Sequence, residues 1–168
     1  EWTGSGTTAG LGTPNNVNVL NSDVTTAAAR GMAGDLTIAV GKSLAVGGTL
    51  ALAAGKTATI NGTFQINNSG FGSGGTWTYG AGATLVYNHT ASTYGPIDAS
   101  HSYWPSSNGP TNVTVQGSTG QINLAVSRTV SGTFQTVAGV TLSSGAVLTC
   151  NGACQINTNG FFNNAPTY

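Results

Sequence analysis

Charge is what this sequence has least of. Of its 168 residues, four are Lys or Arg and four are Asp or Glu, for a net charge of zero at neutral pH. They are Glu1, Asp23, Arg30, Asp35, Lys42, Lys56, Asp98 and Arg128. A charged fraction of 5% stands against about 25% in an ordinary soluble domain. It excludes nucleic acid as a partner, since a binder displaces counterions from phosphates with a basic stripe. It excludes a polybasic membrane-surface module on the same ground. Residues 57–97 and 129–168 carry no charged side chain at all. Hydroxyls and amides must keep such a surface wet, and at zero net charge little repulsion opposes self-association.

Long apolar runs are missing too. No stretch approaches the roughly 20 residues of a membrane-spanning helix, so no membrane insertion is expected. No basic segment leads into an apolar one, and the start at Glu1 rather than Met is read as a mature or excised chain. Cysteine (2), methionine (1) and proline (5) are scarce. What fills the chain is Gly (26), Thr (26), Asn (16) and Ser (15), together about half of it. Such a composition can mark a flexible linker. The 39% of hydrophobic residues, spread along the whole length, instead supplies one narrow core in one domain, residues 1–168.

Internal repetition is the most informative feature. The segment Thr59-Ile60-Asn61-Gly62-Thr63-Phe64-Gln65-Ile66-Asn67 returns 90 residues later as Thr149-Cys150-Asn151-Gly152-Ala153-Cys154-Gln155-Ile156-Asn157. At an offset of 96, Pro14-Asn15-Asn16-Val17-Asn18-Val19 matches Pro110-Thr111-Asn112-Val113-Thr114-Val115. The chain is therefore read as two related halves, about 1–95 and 96–168, with a long irregular loop near 88–110. A finer unit, Gly-Thr-apolar, recurs at Gly48, Gly62 and Gly132, with Gly152-Ala153-Cys154 as a degenerate copy.

Between these copies lie short alternating runs: Leu36-Thr37-Ile38, Leu44-Ala45-Val46, Leu50-Ala51-Leu52, Thr84-Leu85-Val86-Tyr87, Val113-Thr114-Val115 and Ile122-Asn123-Leu124. A period of two is the signature of strands with one buried face. Only Val24 to Met32, around Ala27-Ala28-Ala29, hints at helix. Two all-β architectures fit: an antiparallel sandwich, or a parallel β-solenoid of about six to eight short coils with about 20 residues each. The solenoid is favoured because like runs follow like runs in register, as stacked coils require. A sandwich pairs unlike strands through hairpins.

Several phrases carry a family resemblance: Gly41-Lys42-Ser43-Leu44-Ala45-Val46-Gly47-Gly48-Thr49-Leu50, Ala83-Thr84-Leu85-Val86-Tyr87-Asn88, Trp104 through Val115, and Arg128-Thr129-Val130-Ser131-Gly132-Thr133-Phe134. Across most of residues 14–161 they resemble the Gly/Thr/Asn-rich β-solenoid repeats of secreted and cell-surface proteins of Bacteroidota and related bacteria. That resemblance implies an exported, extracellular surface or matrix role and no particular chemistry.

Candidate chemistry is sparse. Polysaccharide-cleaving solenoids cluster acids on adjacent coils, whereas Asp23, Asp35 and Asp98 fall at no common coil spacing. Paired carboxylates, the minimum for acid and base work on glycosides, are lacking, so no enzyme and no cofactor are expected. His89, Asp98 and His101 lie in the long loop, where a metal would find them close in sequence, but an idle pair of histidines is the expectation and no metal is assigned. Trp77, Tyr79 and Trp104 offer rings for stacking on surface glycans. The plainer reading has Trp77 and Tyr79 alternating along a strand and Trp104 pinning the loop against the rod.

Cys150 and Cys154 replace Ile60 and Phe64, two inward positions flanking an Asn-Gly corner. Two such side chains either pack as small hydrophobes or close a disulfide. The extracellular setting implied by the resemblance makes the disulfide the expectation. At the ends, Trp2 sits in an uncapped Gly/Thr segment and Phe161, Phe162 and Tyr168 in an uncharged one, each fit to add to a neighbouring edge. The resulting expectation is an extracellular structural protein that polymerises with copies of itself. A monomeric adhesin or carbohydrate-binding stalk module is the alternative.

Overall fold

The computed structural model describes residues 13–90, 93–117, 121–143 and 145–163. Trp2 and Tyr168, expected as assembly contacts, lie outside the described residues. Within them the regular structure is all β, and every strand pairing is parallel. Parallel pairing throughout settles the architecture as a β-solenoid and removes the antiparallel sandwich.

Six of the seven coils hold three short strands, and coil 5 holds two. Coil 1 holds β1 (Val17–Val19), β2 (Val24–Thr26) and β3 (Arg30–Met32), and coil 2 holds β4 (Leu36–Ile38), β5 (Ser43–Val46) and β6 (Thr49–Leu52). Coil 3 holds β7 (Thr57–Ile60), β8 (Thr63–Asn67) and β9 (Phe71–Ser73), and coil 4 holds β10 (Thr76–Tyr79), β11 (Thr84–Asn88) and β12 (Thr93–Ile97). Coil 5 has irregular chain over 98–111, then β13 (Asn112–Gln116) and β14 (Gln121–Leu124). Coil 6 holds β15 (Arg128–Val130), β16 (Phe134–Thr136) and β17 (Gly139–Leu142), and coil 7 holds β18 (Leu148–Cys150), β19 (Cys154–Ile156) and β20 (Phe161–Asn163). The expected coil count therefore stands. The alternating runs read from the sequence all lie in strands, while Val24 to Met32 forms β2 and β3 around a corner rather than a helix.

One face runs unbroken through all coils as the seven-stranded sheet β2-β5-β8-β11-β13-β16-β19. Two side-chain ladders cross its inner surface. One is Val24, Leu44, Phe64, Leu85, Val113, Phe134, Cys154; the other is Thr26, Val46, Ile66, Tyr87, Val115, Thr136, Ile156. From coil 1 through coil 6 every rung of both is buried. Thr136, a buried hydroxyl, is satisfied locally by donating to the Ala138 carbonyl at 2.6 Å.

Backbone contact at the corners explains the Gly-Thr-apolar unit. A Cβ on Gly62 would fall 2.2 Å from the Lys42 carbonyl oxygen, and one on Gly152 would fall 2.4 Å from that of Gly132. Only a residue without a side chain lets successive corners stack this closely. Other corners are joined by side-chain acceptors. Asp23 Oδ1 accepts the Ser43 N–H at 2.8 Å, Asn16 Oδ1 that of Asp35 at 2.9 Å, and Asp35 Oδ1 that of Thr57 at 2.8 Å. Two of the chain's few carboxylates thus serve as rungs between coils.

Candidate functional site

The solenoid departs from its own regularity at one level. Register steps of 20 residues, as from Leu44 to Phe64, give way to 28 from Leu85 to Val113. The extra chain is residues 98–111, which occupy the slot where coil 5 would place its first strand. Two faces split at neighbouring levels, one between coils 4 and 6 and the other between coils 3 and 4. Sheet β1-β4-β7-β10 ends before β15-β18 begins, and β3-β6-β9 ends before β12-β14-β17-β20 begins. The irregular stretch is shorter than the 88–110 expected, because Thr93–Ile97 forms β12 and pairs with β14.

Aromatic side chains fill the split from inside. Trp104 and Tyr103 are both 0% exposed and Trp77 is 2% exposed. Trp77 packs on Phe64 with ring centroids 4.9 Å apart, and Trp104 packs on Tyr87 at 6.0 Å. Tyr79 donates its hydroxyl to the Tyr103 carbonyl at 2.6 Å. The three rings considered for glycan stacking, Trp77, Tyr79 and Trp104, thus pin the irregular segment and present no row of open faces. Behind them the Tyr87 hydroxyl donates to Tyr103 (3.4 Å), Tyr103 to Tyr94 (3.1 Å) and Tyr94 to the Gly70 carbonyl (2.9 Å). Burial pushes the Tyr94 phenol up to about 12, and those of Tyr87 and Tyr103 well above the ordinary value. The chain of hydroxyls is therefore a neutral structural tie.

A cavity opens at each split. The first, of about 550 Å³, lies between β10 and β15 and is lined by Trp77, Trp104, Ser106, Ser107, Asn108 and Arg128 among others. The second, of about 410 Å³, lies between β9 and β12 and is lined by Phe71, His89, Tyr94, Asp98 and His101 among others. His89, Asp98 and His101, paired only by sequence proximity until now, do gather at this second cavity. His101 Nδ1 sits 3.0 Å from Asp98 Oδ1. Hydrogen bonds from Ser100 and then His101 hold the Asp98 carboxyl down at about 2. His89 is 3% exposed with an unpartnered Nε2, and burial pushes its imidazole down to about 4. Among the described residues, no three His, Cys, Asp or Glu come together in a way that would hold a metal.

Arg128 is the residue that sequence reading missed. It is 6% exposed, with Nη2 donating to the Asp98 carbonyl at 2.6 Å and Nη1 to the Ser127 carbonyl at 3.5 Å. Burial lowers its guanidinium from the ordinary value, but a guanidinium stays charged in a protein. The signal was available in the parity of Arg128-Thr129-Val130: if Val130 faces inward, so does Arg128.

Among the described residues, coil 7 is less covered than the coils before it. Cys154 is exposed, Ile156 is 53% exposed and Val147 47% exposed. Phe161 is 42% exposed over Gly139, while Phe162 packs inward with its ring 6.1 Å from that of Phe134. Cys150 and Cys154 stand beside each other as free thiols, the Cys150 thiol pushed up to about 12 by burial and by its neighbour Cys154. No family model matches the chain, and neither a curated protein nor a solved structure matches it.

Proposed function

We propose that this chain is an extracellular structural subunit, a short solenoid rod that joins copies of itself end to end through coil 7. The observation that carries this reading is the contrast along the inner ladders. Thr26, Val46, Ile66, Tyr87, Val115 and Thr136 are buried, and the next rung, Ile156, is 53% exposed. Coil 7 offers main-chain edges and apolar inner side chains without a charge or a proline in its strands, the devices that ordinarily blunt an edge. A contact between an open end and a different surface of the next copy is heterologous and propagates as a fibre.

Other features support a structural role over a catalytic one. Asp23 and Asp35 are used as corner acceptors in coils 1 to 3, leaving Asp98 without a second carboxylate beside it among the described residues. Acid and base work on a glycoside requires two. In an oxidising setting the neighbouring thiols of Cys150 and Cys154 close to a disulfide that fastens coil 7. Resemblance to bacterial surface repeats supports the extracellular location. Sedimentation velocity over a range of concentrations tests the assembly: growth of the particle supports it, and a constant monomer overturns it.

The second reading, a monomeric adhesin or carbohydrate-binding stalk module, is favoured by a different observation. The cavity between β10 and β15 is lined by hydroxyl and amide side chains around buried indoles, a lining suited to sugars.

A further inference from the structure

We propose that the cavity between β10 and β15 is a binding site for an acidic saccharide, a hydroxylated ring bearing a carboxylate or sulfate group. The proposal gives the second reading above a ligand class and rests on that reading, but not on whether copies assemble.

The chain has four Lys and Arg residues, and the fold buries one of them here. Arg128 is only 6% exposed, and its contacts are carbonyl oxygens rather than a carboxylate. The nearest acid, Asp98, turns its carboxylate away to the Ser100 hydroxyl at 2.6 Å and to His101 at 3.0 Å. That carboxylate acts on Arg128 through its longer-range field, while the Asp98 main-chain carbonyl is the group in contact. Burying a cation without a contacting anion is costly, and a site that tolerates it is poised for an anion from outside. Burial lowers the His101 imidazole on the same wall, against the pull of Asp98, and Arg128 brings the guanidinium to the cavity.

A second observation points the same way. Two donors on residues that line this cavity lack a protein partner and are themselves buried: the Trp104 Nε1–H, on a residue 0% exposed, and the Arg128 Nε–H. Buried donors are nearly always satisfied, so two orphans on residues lining one cavity point to an acceptor there. The adjoining Trp77 shows the contrast, its Nε1–H being bound to the Gly74 carbonyl at 2.9 Å. Both orphans are donors, which selects an acceptor-rich ligand.

The remaining wall selects the rest of that ligand. Ser106, Ser107 and Asn108 are exposed on the rim, with neutral groups that donate and accept. They suit ring hydroxyls and would give no grip on an apolar molecule. The volume of about 550 Å³ lies within the range of pockets for small organic ligands. The fold also accounts for the site's position. Residues 98–111 occupy the slot of a coil 5 strand without pairing to β10 or β15, so the cavity is the part of that solenoid face left open between those strands.

Trp77 and Trp104 line the cavity and make its occupancy visible by fluorescence. The full chain is titrated with a uronic-acid oligosaccharide, its neutral methyl-ester counterpart, and inorganic sulfate, with light scattering recorded in parallel. The expected result is a saturable fluorescence change with the acidic oligosaccharide, and at least tenfold weaker binding of both the neutral counterpart and sulfate. Arg128→Gln is expected to weaken acidic binding at least tenfold. Because Arg128 is buried and that variant may not fold, Ser107→Asp on the exposed rim serves beside it, weakening the acidic ligand at least tenfold and the neutral one little. Equal binding of acidic and neutral oligosaccharides, or an unaltered affinity in Ser107→Asp, overturns the site. Sulfate binding as tightly as the oligosaccharide overturns the saccharide assignment. Glycan binding that gives no change at the indoles and survives both substitutions overturns this site while leaving the stalk reading intact.

Discussion

Phe64 and Cys154 stand on the same inner ladder of the seven-stranded sheet, yet Phe64 is 0% exposed and Cys154 is exposed. The repeat places one over the other, and only their height in the rod separates them. Phe64→Ala should therefore cost about 3–5 kcal/mol. Cys154→Ala should cost less than about 0.5 kcal/mol. Denaturant unfolding of the two variants checks the contrast, and equal losses would mean that coil 7 is covered.

Corner packing gives a second prediction. Gly62→Ala drives a methyl into the Lys42 carbonyl and should destabilise by about 1–3 kcal/mol. Gly55 provides the comparison, since a Cβ there meets nothing within 4 Å and its φ of +76° is the left-handed region. Gly55→Asn should cost under about 1 kcal/mol, because Asn tolerates that conformation. Thermal unfolding of both distinguishes steric contact from backbone strain.

Much of this architecture was legible before any coordinates. Period-two runs fixed which residues face inward, and the recurrence of Gly62-Thr63-Phe64 as Gly152-Ala153-Cys154 exposed the stacking register. Parity with Val130 turns Arg128 inward, but alternation carries no sign of the split in the sheets. The split arises at residues 98–111, whose lack of periodicity says that a strand is missing but not what replaces it. Trp77 and Trp104 were open to two readings, as stacking rings or as packed ones, because composition carries no depth. Their burial follows from the irregular segment folding over them, a tertiary event with no local signature.

Acid lability follows from the histidine at the second cavity. His89 has a folded value of about 4 against 6.5 when unfolded, so the unfolded chain binds its proton first. The stability it contributes is complete above about pH 6.5 and is lost as pH falls toward 4. His101, also lowered by burial, adds to the same slope. Asp98 acts in a separate window, its contribution complete above about pH 3.8 and lost toward 2. His89→Leu should flatten the fall in urea midpoint between pH 6.5 and 4.5 without abolishing it. An unchanged slope would remove His89 as its source.

Thiol chemistry reads the end of the rod. In the reduced protein the exposed Cys154 should alkylate well before Cys150, whose thiol is held near 12 by burial. After mild oxidation, intact mass should fall by two hydrogens, with neither cysteine available for labelling. Two thiols still free after oxidation would exclude the disulfide.

Assembly through coil 7 is the central claim, and Ile156→Asp tests it most directly because the residue is 53% exposed and its replacement leaves the buried rungs untouched. Negative-stain microscopy of the wild-type chain and this variant, at matched concentration and with matching far-ultraviolet circular dichroism, is the measurement. Filaments or extended rods in the wild type, with single short rods in Ile156→Asp, are the predicted result. Single short rods from the wild type at every concentration, or filaments that persist in Ile156→Asp, would contradict it.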